Sequence, residues 1–170
     1  MRNCGRAMKE TGCQAVKIEG GQPMATTVRR LVDAGIPVMG HIGLTPQSVH
    51  ALGGYHVQGR DDATADRLRA DAKALEDAGA FAVVLELLPA PLSSQITKSL
   101  TIPTIGIGAG PACDGQVLVL HDMLGLNEQF SAKFVKKYAA LAEDVREAAR
   151  LFAAEVREGR YPGPEHSFGK

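Results

Sequence analysis

The stretch VKIEGG, Val16 to Gly21, opens as an apolar strand, carries two charges and stops on two glycines. Side chains alternate faces along a strand, so Val16 and Ile18 share one face while Lys17 and Glu19 share the other. Two strand rises separate the charged residues by about 7 Å at the Cα level. That charged face either meets solvent on an edge strand or lines a polar site. A second stretch bears on the choice. FAVVLELL, Phe81 to Leu88, holds Glu86 in a run that is otherwise wholly apolar. An ionised carboxylate there is costly unless it is paired, hydrogen-bonded or bound to a metal. A buried ion pair with Lys17 is the plain structural alternative.

The two stretches belong to a weak internal repeat. GCQAVKIE (Gly12–Glu19) and GAFAVVLE (Gly79–Glu86) both read Gly-x-x-Ala-Val-x-aliphatic-Glu. GIPVMGHIG (Gly35–Gly43) and TIPTIGIGAG (Thr101–Gly110) share Ile-Pro-x-x-Gly and further glycines. Five apolar runs predict strands at Ala15–Glu19, Pro37–Ile42, Ala82–Leu87, Pro103–Ile107 and Gln116–His121. Between them, helical spacing predicts helices over Thr26–Ala34, over a segment from an N-cap at Thr64 to Gly79, and over Leu92–Leu100. Near-continuous apolar strands alternating with helices argue for a parallel sheet covered by helices. Repeated βα units with polar residues at the strand ends fit a (β/α) barrel, whose site lies on that rim. Phe134, Tyr138, Leu141, Val145, Ala149, Phe152 and Val156 recur at three- and four-residue steps, predicting one long amphipathic helix. The tail YPGPEHSFGK is read as a loop, because Pro162 and Pro164 stop a helix.

The totals narrow the function. At 170 residues, with 45% apolar and 22% charged residues, the chain is one globular domain by composition. Nineteen basic against nineteen acidic residues offer no surface for nucleic acid or anionic membrane. No run approaches the roughly 18 apolar residues of a membrane span, and MRNCGRAMKETG lacks a signal-peptide core. Cys4, Cys13 and Cys113 are odd in number without Cys-x-x-Cys spacing, which predicts reduced thiols in a cytoplasmic protein.

Three strand ends thus carry Lys17, Glu19, His41 and Glu86, groups of the kinds that move protons and bind metals. A lone histidine near a core is commonly a hydrogen-bonded structural residue; it is the constellation that carries the signal. The connection Gly43–Arg60 is long where two to six residues are usual. Thr45-Pro46 predicts a short helix, and Gly53, Gly54 and Gly59 permit turns, so a flap over the site is expected. GIGAG (Gly106–Gly110) lacks the P-loop lysine and reads better as room for a ligand than as a phosphate cradle. His121 and Asp122 either face the site or cap a turn.

In order, VKIEGG, VMGHIGLTPQSV, GGYHVQGR, VVLELLP, TIGIGAG, VLHDMLG and YPGPEHSF closely resemble ketopantoate hydroxymethyltransferase (3-methyl-2-oxobutanoate hydroxymethyltransferase) over nearly the whole chain. The resemblance implies a (β/α)8 barrel of the phosphoenolpyruvate/pyruvate type. It implies transfer of the one-carbon unit of 5,10-methylenetetrahydrofolate to C3 of 3-methyl-2-oxobutanoate, giving 2-dehydropantoate for pantothenate and coenzyme A synthesis. It also implies Mg²⁺ and a homo-oligomer, usually a decamer. By motif, Glu86 matches the proton acceptor, Lys17 a lysine that binds the 2-oxoacid, and Glu19 a magnesium-associated carboxylate. His41 lies beside the substrate. An eight-stranded barrel takes around 250 residues, whereas about five βα units and a C-terminal helix are recognisable here. The chain opens at what resembles the end of the family's third helix. The first three strands should carry two aspartates that are the principal magnesium ligands and a serine that touches the ketoacid. The chain alone is therefore expected to be poorly active. The alternatives are a non-catalytic remnant that assembles with a complementary or full-length chain, and another 2-oxoacid aldolase or lyase on the same barrel.

Overall fold

The computed structural model describes residues 1–169. They form two compact units, Met1–Val117 and a second from Leu118 onward. The first unit is a parallel five-stranded sheet in sequential order: β1 (Val16–Glu19), β2 (Val38–Gly43), β3 (Ala82–Glu86), β4 (Thr104–Ile107) and β5 (Gly115–Gln116). Helices α1 (Arg2–Thr11), α2 (Gln22–Asp33), α3 (Asp62–Asp77) and α4 (Ala90–Ser99) accompany it. All-parallel pairing in chain order, each long strand joined through a helix, is the βα repeat of a partial barrel.

Alternation divides the sheet. Val16, Ile18, Val38, Ile42, Val83 and Leu85 pack into the helix-side core with Val28 and Leu31 of α2, Leu68, Ala72 and Leu75 of α3, and Leu92 and Ile96 of α4. Residues 65, 68, 72 and 75 recur at three and four, which places one face of α3 on the sheet. The odd-numbered partners of that pattern, Lys17, Glu19 and His41, together with Glu86, are left on the opposite face. Rim glycines let the chain pass closely between strands. At Gly43 (φ 93°) a Cβ would lie 2.1 Å from the Glu86 carbonyl oxygen, so β2 and β3 could not meet there with any larger residue.

The N-cap of α3 is Asp61, three residues before the Thr64 expected. Asp61 Oδ1 accepts the Thr64 N–H at 2.9 Å while the Thr64 hydroxyl donates back to Asp61 Oδ2 at 2.7 Å. A strand over Gln116–His121 does not form. Pairing with β4 ends at Gln116 apart from the Val117 N–H on the Gly106 carbonyl. Leu120–Met123 instead closes a helical turn, α5, with Met123 donating to Val119.

In the second unit the long C-terminal helix begins at Leu141, as α6 (Leu141–Arg157), and not near Phe134. The Tyr138 and Leu141 N–H groups donate to Met123 and Leu124 carbonyls. That pairing takes the donors a helix through 134–140 would have turned inward. Asp122 is buried and accepts from Asn127 Nδ2 at 3.2 Å. It braces the turn after α5, one of the two roles left open for it. No helix among the described residues is long and apolar enough to cross a membrane.

Candidate active site

Glu19 ends β1 directly opposite His41 of β2, and Glu86 ends β3 opposite Gly43. Same-face alternation then gathers Lys17, Glu19, His41 and Glu86 at the C-terminal edge of three adjacent strands. His41 is at the centre and 2% exposed. The Lys17 ammonium donates to His41 Nδ1 at 2.9 Å. An ammonium has no lone pair, so Nδ1 must accept and the ring proton sits on Nε2. That nitrogen lies 3.1 Å from Glu86 Oε2. The approach is off the line along which an N–H donates, and Nε2 has no hydrogen-bond partner among the described residues. The site therefore holds a buried donor with unspent capacity beside a carboxylate, which is what a bound oxyanion or carbonyl would use.

Glu19 is held from both sides. Its Oε1 lies 3.6 Å from the Lys17 ammonium and 3.8 Å from His41 Nδ1. Its Oε2 accepts the Gln47 N–H at 3.0 Å. Gln47 is the middle residue of the short 3-10 turn Pro46–Ser48, so the expected flap does begin with a helical turn. Thr45 precedes it without a side-chain capping bond, its carbonyl accepting the Ser48 N–H. The far end of the connection is anchored as well, through the Gln58 N–H on the Leu87 carbonyl at 2.9 Å.

Leu87, directly after Glu86, has φ +50° and is the one non-glycine residue at positive φ among the described residues. A side chain there costs on the order of 1–2 kcal/mol. Nothing in the apolar run FAVVLELL signals that conformation, and sequence reasoning missed it, as it missed the backbone N–H anchors at Gln47 and Gln58. Gly110 was read as leaving room for a ligand. A Cβ there would lie 2.4 Å from that of Ala90, so this glycine makes room for the start of α4.

A cleft of about 380 Å³ opens at the same rim, lined in part by Gly20, Gly21, Thr45, Gln58, Arg67 and Asp71. None of the four clustered ionisable groups lines it. Chemistry requires those groups, so the candidate site is the Lys17–Glu86 cluster.

A family model described as ketopantoate hydroxymethyltransferase matches residues 1–164. The chain belongs to that family. It is 64% identical over 169 residues to the 3-methyl-2-oxobutanoate hydroxymethyltransferase of Paracoccus denitrificans (strain Pd 1222), covering 99% of this chain and 61% of the relative. It is 61% identical over 168 residues to the protein of the same name from Trichlorobacter lovleyi (99% and 63% covered). The Heliobacterium modesticaldum protein is 59% identical over 169 residues (99% and 61% covered). The chain thus spans about three fifths of the length of these relatives. Within a ketopantoate hydroxymethyltransferase framework, the sheet is the parallel run expected of part of its barrel.

The magnesium implied by the resemblance does not fit the residues present. Magnesium takes near-octahedral oxygen coordination. Glu19 is the carboxylate matched to it, yet one oxygen faces an ammonium and the other already accepts a backbone N–H. Among the described residues no three His, Cys, Asp or Glu side chains are grouped to hold an ion.

Proposed function

We propose that the Lys17–Glu19–His41–Glu86 cluster serves hydroxymethyl transfer from 5,10-methylenetetrahydrofolate to 3-methyl-2-oxobutanoate, giving 2-dehydropantoate for pantothenate and coenzyme A synthesis in the cytoplasm. The observation that supports it most is the placement of a carboxylate, Glu86, 3.1 Å from a buried imidazole nitrogen that has no hydrogen-bond partner among the described residues. Glu86 takes the C3 proton of the ketoacid. Lys17 and the His41 Nε2–H stand where negative charge grows on the carbonyl and carboxylate oxygens. One carbon–nitrogen bond of the folate's methylene bridge opens, water adds to the resulting iminium carbon, and the second carbon–nitrogen bond breaks. Tetrahydrofolate thus leaves with both nitrogens protonated, and the one-carbon unit stands at the oxidation level of formaldehyde. The C3 electron pair forms its bond to that carbon, and the carbonyl oxygen, which came from water, takes up a proton and becomes the hydroxyl.

Magnesium has no part in this proposal, because Glu19, the carboxylate that the resemblance matches to it, is already engaged by the Lys17 ammonium and the Gln47 N–H. No step is routed through it. The family's homo-oligomer is proposed as the working assembly. The alternative is a non-catalytic chain that assembles with a complementary or full-length one. Another 2-oxoacid aldolase or lyase is disfavoured by the family match over residues 1–164.

The test is deuterium exchange at C3 of 3-methyl-2-oxobutanoate in D₂O, followed by proton NMR, with the chain alone and with a full-length relative added whose own matching glutamate has been replaced by glutamine. We expect exchange to be slow for the chain alone. We expect Glu86→Gln to lower kcat by about 10²–10⁴-fold wherever exchange is seen, with little change in KM. Equal rates for parent and variant would place the base elsewhere, and no exchange under either condition would favour the non-catalytic alternative.

A further inference from the structure

Three backbone hydrogen bonds converge on the Glu86–Leu87 segment, each from a different part of the fold. The Leu44 N–H donates to the Glu86 carbonyl at 2.9 Å. The Leu87 N–H donates to Ile107, the last residue of β4, at 2.9 Å. The Gln58 N–H donates to the Leu87 carbonyl at 2.9 Å, bringing in the end of the long connection. Between these anchors Leu87 is held at φ +50°, a conformation that leucine avoids and glycine accepts freely. Strain kept at one residue next to a functional carboxylate, and over-determined by three bonds, is the pattern of a pre-organised site.

The geometry has a directional consequence. If β3 continued straight, Leu88 would emerge on the Glu86 face. The left-handed residue breaks that alternation, and Leu88 is buried in the helix-side core with Leu92. Glu86 is therefore the last side chain of β3 on the polar face, and its backbone cannot roll without breaking a bond to β4 or to the connection.

We propose that Leu87 is a positioning residue, whose left-handed turn, clamped by Gln58, sets the direction in which Glu86 presents its carboxylate. Leucine serves here because its Cβ restricts the backbone. Glycine would fit the conformation and leave it free to move. The proposal rests on the assignment of Glu86 as the proton acceptor, but its structural half can be tested without that assignment.

Two variants separate the possibilities. Leu87→Gly relieves the strain but removes a half-buried side chain, so a merely structural role predicts a shift in melting temperature and nothing else. We expect the amides of Leu87 and Gln58 to exchange with solvent at least about tenfold faster relative to the other amides of β3, read by NMR. Leu87→Asn, which tolerates positive φ while keeping a Cβ, should restore parental protection. In the C3 exchange assay with the glutamine-substituted full-length relative added, Leu87→Gly should lower kcat roughly 10–100-fold at unchanged KM, and Leu87→Asn should recover most of it. Parental amide protection in Leu87→Gly would overturn the proposal. So would loss of protection in the asparagine variant equal to that in the glycine variant. Failure of the parent to exchange C3 would count against the proposed function, and the amide measurements would still decide the role of Leu87.

Discussion

At the residue scale, Glu76 shows how one side chain can tie a helix to the loop before a strand. Its Oε1 accepts the Thr101 N–H, the Thr101 hydroxyl and the Ile102 N–H, while Oε2 accepts from the Lys73 ammonium at 2.8 Å. Lys73 first and the Thr101 backbone second hold its carboxyl down at about 2, below the ordinary 4.5. A carboxyl depressed in the folded state contributes stability that is complete above the unfolded value and fades as pH falls through the folded one. This contribution should therefore disappear between about pH 4.5 and pH 2. Glu76→Ala should cost about 1–2 kcal/mol at neutral pH, and thermal melts at pH 7 and pH 3 should differ less for the variant than for the parent. Parallel pH profiles would show that the carboxylate is a spectator. None of these partners was legible beforehand, since Glu76 and Thr101 are remote in sequence and the bonds join a side chain to backbone N–H groups. By contrast Glu86 stood out at once, because a charge inside an apolar run needs an explanation.

At the scale of the element, α3 was legible in its buried face and misjudged at its start. The spacing of Leu68, Ala72 and Leu75 is a property of the helix alone. Its N-cap was set by the reciprocal bonds between Asp61 and Thr64, which either residue could have led. Leu75 is fully buried and closes over β2, where a Cβ on Gly40 would lie 2.7 Å from Leu75 Cδ1. Leu75→Ala should leave a cavity that the sheet cannot fill, costing about 2–5 kcal/mol in urea unfolding. A loss under about 1 kcal/mol would mean that α3 settles onto β2. The long connection Gly43–Arg60 was recognised by length and glycine content. Its two anchors, Gln47 on Glu19 and Gln58 on Leu87, use backbone N–H groups that no side-chain pattern reveals.

At the scale of the whole molecule, the exposed apolar side chains of the second unit call for company. No residue of α6 is buried, and Val145, Leu151, Phe152 and Val156 are all exposed. Patches of this kind mark association surfaces or aggregation liabilities. Sedimentation velocity of the 170-residue chain should show concentration-dependent association, reduced by Val145→Glu with Val156→Glu; a monomer at every concentration would refute this. The sequence by itself determined the parallel βα order, the two faces of each long strand and the gathering of Lys17, Glu19, His41 and Glu86. Period-two alternation and the glycine and proline stops are local properties, and parallel pairing turns the shared strand ends into neighbours. Tertiary structure alone decided the left-handed turn at Leu87, the stop of β5 at Gln116, the late start of α6 and the Gln47 clamp that occupies Glu19. Each depends on where a backbone donor finds its acceptor, and those acceptors come from distant parts of the chain whose positions no local pattern encodes.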